Sequence, residues 1–142
     1  MNPSNQHLAA LIGRILLAAV FVLSGINKLG NFAGTAAFMS GAGLPMAEIL
    51  LVATIAIELI CGMMLVLGWR ARFAAAVLLL FMVPVTAVFH NPWAVADQAM
   101  AQQQMIHFLK NLAIMGGLLN LMAFGSGGYS IGARDPQSQT QL

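Results

Sequence analysis

Residues 46 to 68 read MAEILLVATIAIELICGMMLVLG, a run in which only Glu48 and Glu58 carry charge. A helix needs about 20 mostly apolar residues to cross the hydrocarbon core of a bilayer, so this run has the length of a membrane span with a carboxylate near its middle. Three further runs of the same character lie near residues 8 to 29, 72 to 91 and 105 to 124. Helix breakers stand between them: Gly30 and Asn31, Gly41 to Pro45, Asn91 and Pro92, and Gly125 to Gly128. The expected fold class is all-α, a four-helix transmembrane bundle forming a single domain over residues 1 to 142.

Composition points the same way. The chain has 142 residues, 60% of them apolar and 7% charged, and a mean hydropathy of +0.86, whereas soluble domains carry roughly 25% charged residues. Too few polar side chains are present to cover a globule of this size, and lipid must supply the missing solvent. The six Lys and Arg are scattered, so no nucleic-acid patch forms. Cys61 is the single cysteine, which excludes an internal disulfide, a CxxC pair and a cysteine metal cluster within one chain. Arg14 lies inside the first run and no A-x-A-like cleavage site follows between Ser24 and Lys28, so that run is expected to stay as the first span.

Between the first two spans, Asn31 to Ser40 is too short to cross, yet Phe32, Ala36 and Met39 share one helical face. A short interfacial helix is expected there. Spans two and three are linked only by a turn around Trp69 and Arg70, which makes them antiparallel neighbours. Residues Asn91 to Gln104 read as the longest polar connection. Arg14, Arg70, Arg72 and Arg134 fall toward the side shared by both termini, against Lys28 and Lys110 on the other. By the positive-inside rule both termini are expected in the cytoplasm, with Trp69 and Tyr129 at one interface and Trp93 at the other. Spans one and three both open with an arginine and each leads into a second span, a pattern of two repeated hairpins.

Ionisable residues within a span cost about 2.5–3.5 kcal/mol at the centre of a lone helix on insertion scales, so each should face the bundle. Arg14, Ala18, Phe21, Gly25 and Lys28 form one stripe of the first span, and Thr54, Glu58, Cys61, Gly62 and Leu65 one face of the second. Small residues on both let the backbones approach, and these seams are expected to pack together. Measured from the terminal end of each span, Arg14 stands about 9 Å and Glu58 about 15 Å along its axis, within reach of an arginine side chain. An Arg14 to Glu58 ion pair is therefore expected, either as a clasp between helices or as a functional carboxylate.

A second polar group gathers at the opposite ends of the spans: Asn27, Lys28, Thr86, His90, His107, Lys110 and Asn111. Its members could converge on one pocket, with hydrogen-bond donors at headgroup depth over an apolar floor, which suits a quinone or a small anion. Lys28, His90, His107, Lys110 and Asn111 are the candidate ligand-binding residues. The alternative is that His90 caps a helix end before Pro92 while Lys28 and Lys110 snorkel to the interface. Three histidines with Asp97 lack the spacing of a metal motif, so no metal is expected. The ten methionines are spread along the chain as gap fillers, and Pro84 is expected to bend span three. No Walker loop, dinucleotide fingerprint or haem-attachment motif occurs, and no covalently bound cofactor is expected.

Taken in order, several of these residues resemble the DoxX family of small four-span bacterial membrane proteins. They are Arg14-Ile15-Leu16-Leu17, Ser24-Gly25-Ile26-Asn27-Lys28, Gly43-Leu44-Pro45, Glu58 and Gly62, Gly68 and Arg72, His90, Lys110-Asn111-Leu112 and Gly116-Gly117. The tail Gly125-Ser126-Gly127-Gly128-Tyr129-Ser130-Ile131 is similar to the close of YqjF-type members of that family. The resemblance implies a multi-pass protein of the bacterial inner membrane, loosely linked to redox work. Named relatives include a subunit of thiosulfate:quinone oxidoreductase and proteins associated with thiol oxidation.

Two functional readings result. In the first, the chain is a quinone-interacting membrane subunit served by a redox protein partner, with His90 and Lys110 as hydrogen-bond donors and Lys28 supplying positive potential. Arg14 and Glu58 would then form the pocket floor or relay a proton. In the second it is a membrane scaffold without chemistry, whose polar residues lock helix register. A small transporter of lipids or apolar metabolites finds little support in such short loops. Gly- and Ala-rich outer faces are compatible with a homo-oligomer.

Overall fold

A computed structural model describes residues 2–131, and Arg134 lies outside them. Five α-helices follow one another: α1 (Pro3–Gly30), α2 (Phe32–Gly41), α3 (Ala47–Leu67), α4 (Ala71–Phe89) and α5 (Gln98–Phe124), with a 3-10 turn at Pro92–Ala94. No strand occurs among the described residues. Four helical segments, Pro3–Gly30, Ala47–Leu67, Ala71–Ala94 and Gln98–Phe124, are long and apolar enough to cross a membrane. The short helix foreseen between the first two spans is α2, which buries Ala36 and Met39.

Two of the spans extend further than hydropathy alone outlines. Pro3 sits in the first turn of α1, where its missing N–H costs nothing. Gln98 opens α5 seven positions before the expected start at residue 105, because the Asp97 carboxylate caps the helix by accepting from the Met100 N–H at 2.8 Å. The glutamine-rich stretch expected as a loop is thus the first part of α5. α4 runs on through Pro84 to Phe89.

The helices form two antiparallel hairpins. α1 lies along α3, α4 lies along α5, and α3 and α4 join the pairs side by side. α1 touches α5 more lightly, chiefly where Leu17 reaches Gly117, and α1 and α4 are not packed neighbours. One end of the bundle gathers the start of α1, the α3–α4 turn and the end of α5 and is called the termini end. The loop end carries α2 and residues 90 to 97.

The expected seam holds: Arg14, Ala18, Phe21 and Gly25 are the buried residues of α1, facing buried Glu58, Cys61, Gly62 and Leu65 of α3. Glycine lets the helices close here, since a Cβ on Gly62 would stand 2.7 Å from the Val22 Cγ2 and one on Gly25 2.8 Å from the Leu59 side chain, and either would force its neighbour to shift. Ala71, Ala74, Ala75, Leu78, Met82 and Leu118 complete the core across α4 and α5. The α3–α4 turn places Gly68 at φ 69° and Arg70 at φ 45°, both left-handed. Beyond α5, residues 125 to 131 fold back over the termini end, where the Ile131 N–H donates to the Leu67 carbonyl at 3.1 Å.

Candidate polar sites within the bundle

Glu58 is 5% exposed, a carboxylate in a helix whose neighbours are nearly all apolar. The close approach at Gly25 sets it opposite one turn of α1. Lys28 Nζ donates to both its oxygens, Oε1 at 2.9 Å and Oε2 at 3.0 Å, and the Ser24 hydroxyl donates to Oε1 at 3.1 Å. Lys28 also donates to the Ser24 oxygen. Three side chains thus close a hydrogen-bonded ring across the α1–α3 seam. The charge is paired and the carboxylate's lone pairs are largely used, the condition under which an ion pair survives burial.

The partner of Glu58 is therefore Lys28, which corrects the expected pairing with Arg14. The cause is register. The expectation treated the terminal ends of the first two spans as level, but Gly68, just past the end of α3, lies against Arg14, while Gly25 lies level with Glu58. Arg14 and Gly25 are separated along α1 by about 16 Å at 1.5 Å per residue, beyond any side chain's span.

Arg14 is 3% exposed and finds other partners. Its guanidinium donates to the Ser126 carbonyl, to the Tyr129 carbonyl at 2.7 Å and to the Val66 carbonyl at 3.4 Å. Its Nε meets no acceptor among the described residues. His7 joins the same assembly, accepting the Gly128 N–H at Nδ1 over 3.1 Å and meeting the Tyr129 ring edge-on at 6.0 Å between centroids.

The group expected to converge on one pocket is divided between the hairpins. Lys28 belongs to the α1–α3 ring, and Asn27 is exposed. On the second hairpin Asn111 Nδ2 donates to the Thr86 Oγ at 3.0 Å. One turn nearer the loop end, the His90 and His107 rings stack 5.1 Å apart at 24°, and His90 Nδ1 lies 3.1 Å from Gln104 Oε1. Lys110 is exposed, and its charge is felt at His107. Sequence reasoning missed Ser24 and Gln104. Each precedes a selected residue by about one helical turn, Ser24 four before Lys28 and Gln104 three before His107, and that spacing was the available signal.

Two surface grooves open at the loop end. One of about 630 Å³ lies between Trp93 and the first turns of α5, lined by Gln98, Ala101, Gln102 and Met105. The other, about 550 Å³, lies between α2 and the start of α3 beside Ser40 and Glu48. Neither is lined by the candidate ligand-binding residues. Among the described residues no three of His, Cys, Asp or Glu gather as a metal ion would require.

Comparison with known proteins adds a relationship. The DoxX family model matches residues 9–91, from α1 past the end of α4. The inner membrane protein YphA of Escherichia coli K12 is 29% identical over 124 residues, covering 87% of this chain and 88% of the relative. The inner membrane protein YqjF of the same organism is 30% identical over 126 residues, covering 89% and 91%. No solved structure matches the chain.

Proposed function

Because the chain belongs to the DoxX family, we propose that it is a multi-pass inner-membrane protein with both termini cytoplasmic, acting as the quinone-interacting subunit of a redox assembly. The observation that carries this reading is the stacked pair His90 and His107 with Gln104 beside them, at one end of an apolar bundle. A quinone carbonyl needs a hydrogen-bond donor beside an apolar wall, and a neutral imidazole supplies one N–H; with the His90 Nδ1 facing the Gln104 Oε1, the His107 ring is the one that can turn its N–H to the carbonyl. Reduction of a quinone to its quinol takes up two electrons and two protons. A redox protein partner would supply the electrons, and an imidazole, with a donor and an acceptor nitrogen on one ring, can pass on protons. Asn111 and Thr86 extend the polar strip one turn deeper, and exposed Lys110 flanks it.

The closed ring of Ser24, Lys28 and Glu58 favours a second reading. A carboxylate already satisfied by its own neighbours resembles a register lock more than a ligand site, as a scaffold would require. Quinone retention separates the two. Protein extracted in mild detergent should carry ubiquinone or menaquinone in near-stoichiometric amount, and the double variant His90→Ala/His107→Ala should lose it while keeping its partner complexes. Absence of quinone from the unmodified protein, with no binding of a quinone analogue, would leave the scaffold reading alone.

A further inference from the structure

Once Lys28 and Glu58 neutralise each other, the remaining charges divide by end. Glu48 opens α3, Asp97 caps α5 and Lys110 lies in the first half of α5, all toward the loop end. The termini end holds Arg14, Arg70 and Arg72 and, among the described residues, no carboxylate. Arg14 is consumed by the folded-back tail. Arg70 and Arg72 are exposed, and most of their hydrogen-bonding capacity is unspent. Arg72 gives one long bond of 3.4 Å to the Ala123 carbonyl, and a guanidinium has five N–H donors. Arg70 Cζ lies over the Phe73 ring, 5.5 Å from its centroid, a cation–π contact that uses none of its N–H donors and leaves them for an anion.

The surroundings identify the anion's carrier. Trp69 is 50% and Phe73 56% exposed, flanking these arginines along the chain; tryptophan settles at headgroup depth, and the exposed phenylalanine offers an apolar ring beside it. Cationic N–H donors beside such rings, at the end of helices that cross a bilayer, face phospholipid phosphates. We propose that Arg70 and Arg72, with Trp69 and Phe73, form a site that selects anionic phospholipid headgroups at the termini end. The loop end, where exposed Trp93 has Asp97 nearby, does not share the preference.

The chain's two tryptophans, Trp69 and Trp93, stand at opposite ends and serve as reporters. In a Trp93→Phe background, Trp69 fluorescence is quenched by brominated phosphatidylglycerol or brominated phosphatidylcholine in mixed vesicles. Phosphatidylglycerol should be preferred about fivefold or more beside Trp69, given what one arginine near an anionic surface contributes. The preference should fall toward parity in Arg70→Gln/Arg72→Gln, persist in Arg70→Lys/Arg72→Lys, and weaken in the unmodified pair when salt rises from about 0.05 to 0.5 M. A Trp69→Phe background, reporting from Trp93, should show a much smaller preference. Equal quenching by the two lipids at Trp69, a preference insensitive to both salt and the glutamine variant, or an equal preference at Trp93 would overturn the proposal.

Discussion

Removing either partner of the Lys28–Glu58 pair should have unequal consequences, because the two side chains sit differently. Glu58 is enclosed, while Lys28 keeps a side-chain exposure of 26% and can turn its ammonium toward the interface. Lys28→Met therefore strands a carboxylate among apolar neighbours and should cost about 3–5 kcal/mol. Glu58→Gln leaves a cation that can reach water and should cost about 1–2 kcal/mol. Replacing both, as Lys28→Met/Glu58→Leu, should return stability to within about 1 kcal/mol of the unmodified protein, since an apolar pair of similar volume carries no desolvation penalty. Unfolding in mixed detergent and dodecyl sulfate measures all three, and a double variant as unstable as Lys28→Met would refute the account. That Arg14 and Glu58 turn inward was legible from their stripes alone. Which cation meets Glu58 was not, because pairing depends on how far one helix slides past the other, and that offset is set by side chains on both faces at once.

At the scale of elements, similar glycines separate once the helices are in place. Gly62 lies against Val22, whereas a Cβ on Gly116 meets nothing within 4 Å. Gly62→Leu should cost about 1–3 kcal/mol through overpacking of the α1–α3 seam. Gly116→Ala should stabilise by up to about 1 kcal/mol through helix propensity alone. The same detergent titration reads both, and destabilisation by Gly116→Ala would place a partner on that face. The start of α5 gives a second test. Asp97→Ala should cost about 1 kcal/mol and raise hydrogen exchange at residues 98 to 101 while leaving the remainder of α5 unchanged. Hydropathy revealed the four spans and the face of α2 that packs inward. It did not reveal the first turns of α5, because glutamines lower the window average without opposing a helix, and the local signal there was the cap at Asp97.

Over the whole molecule, Arg14 joins the two ends of the chain, donating to carbonyls 112 and 115 residues away. Those acceptors lie on the glycine-rich tail, whose turns at Gly125 and Gly127 take φ near 80° and which rests against Ala10 of α1 and Gly68 of the α3–α4 turn. His7 accepts the Gly128 N–H and offers a ring edge, the Leu67 carbonyl accepts the Ile131 N–H, and the Arg14 guanidinium is the side chain that gathers the tail's carbonyls. Lysine cannot reproduce it, since a single ammonium replaces a planar fork aimed at several carbonyls. Arg14→Lys should therefore loosen residues 125 to 131 nearly as much as Arg14→Gln, with amide exchange at Ile131 rising tenfold or more, about 1.4 kcal/mol of lost protection, while α3 and α4 keep theirs. His7→Ala should raise exchange at Gly128 and leave Ile131 close to its original rate. If Arg14→Lys preserved protection at Ile131, the tail would be held by its own turns, and the buried charge would need another explanation.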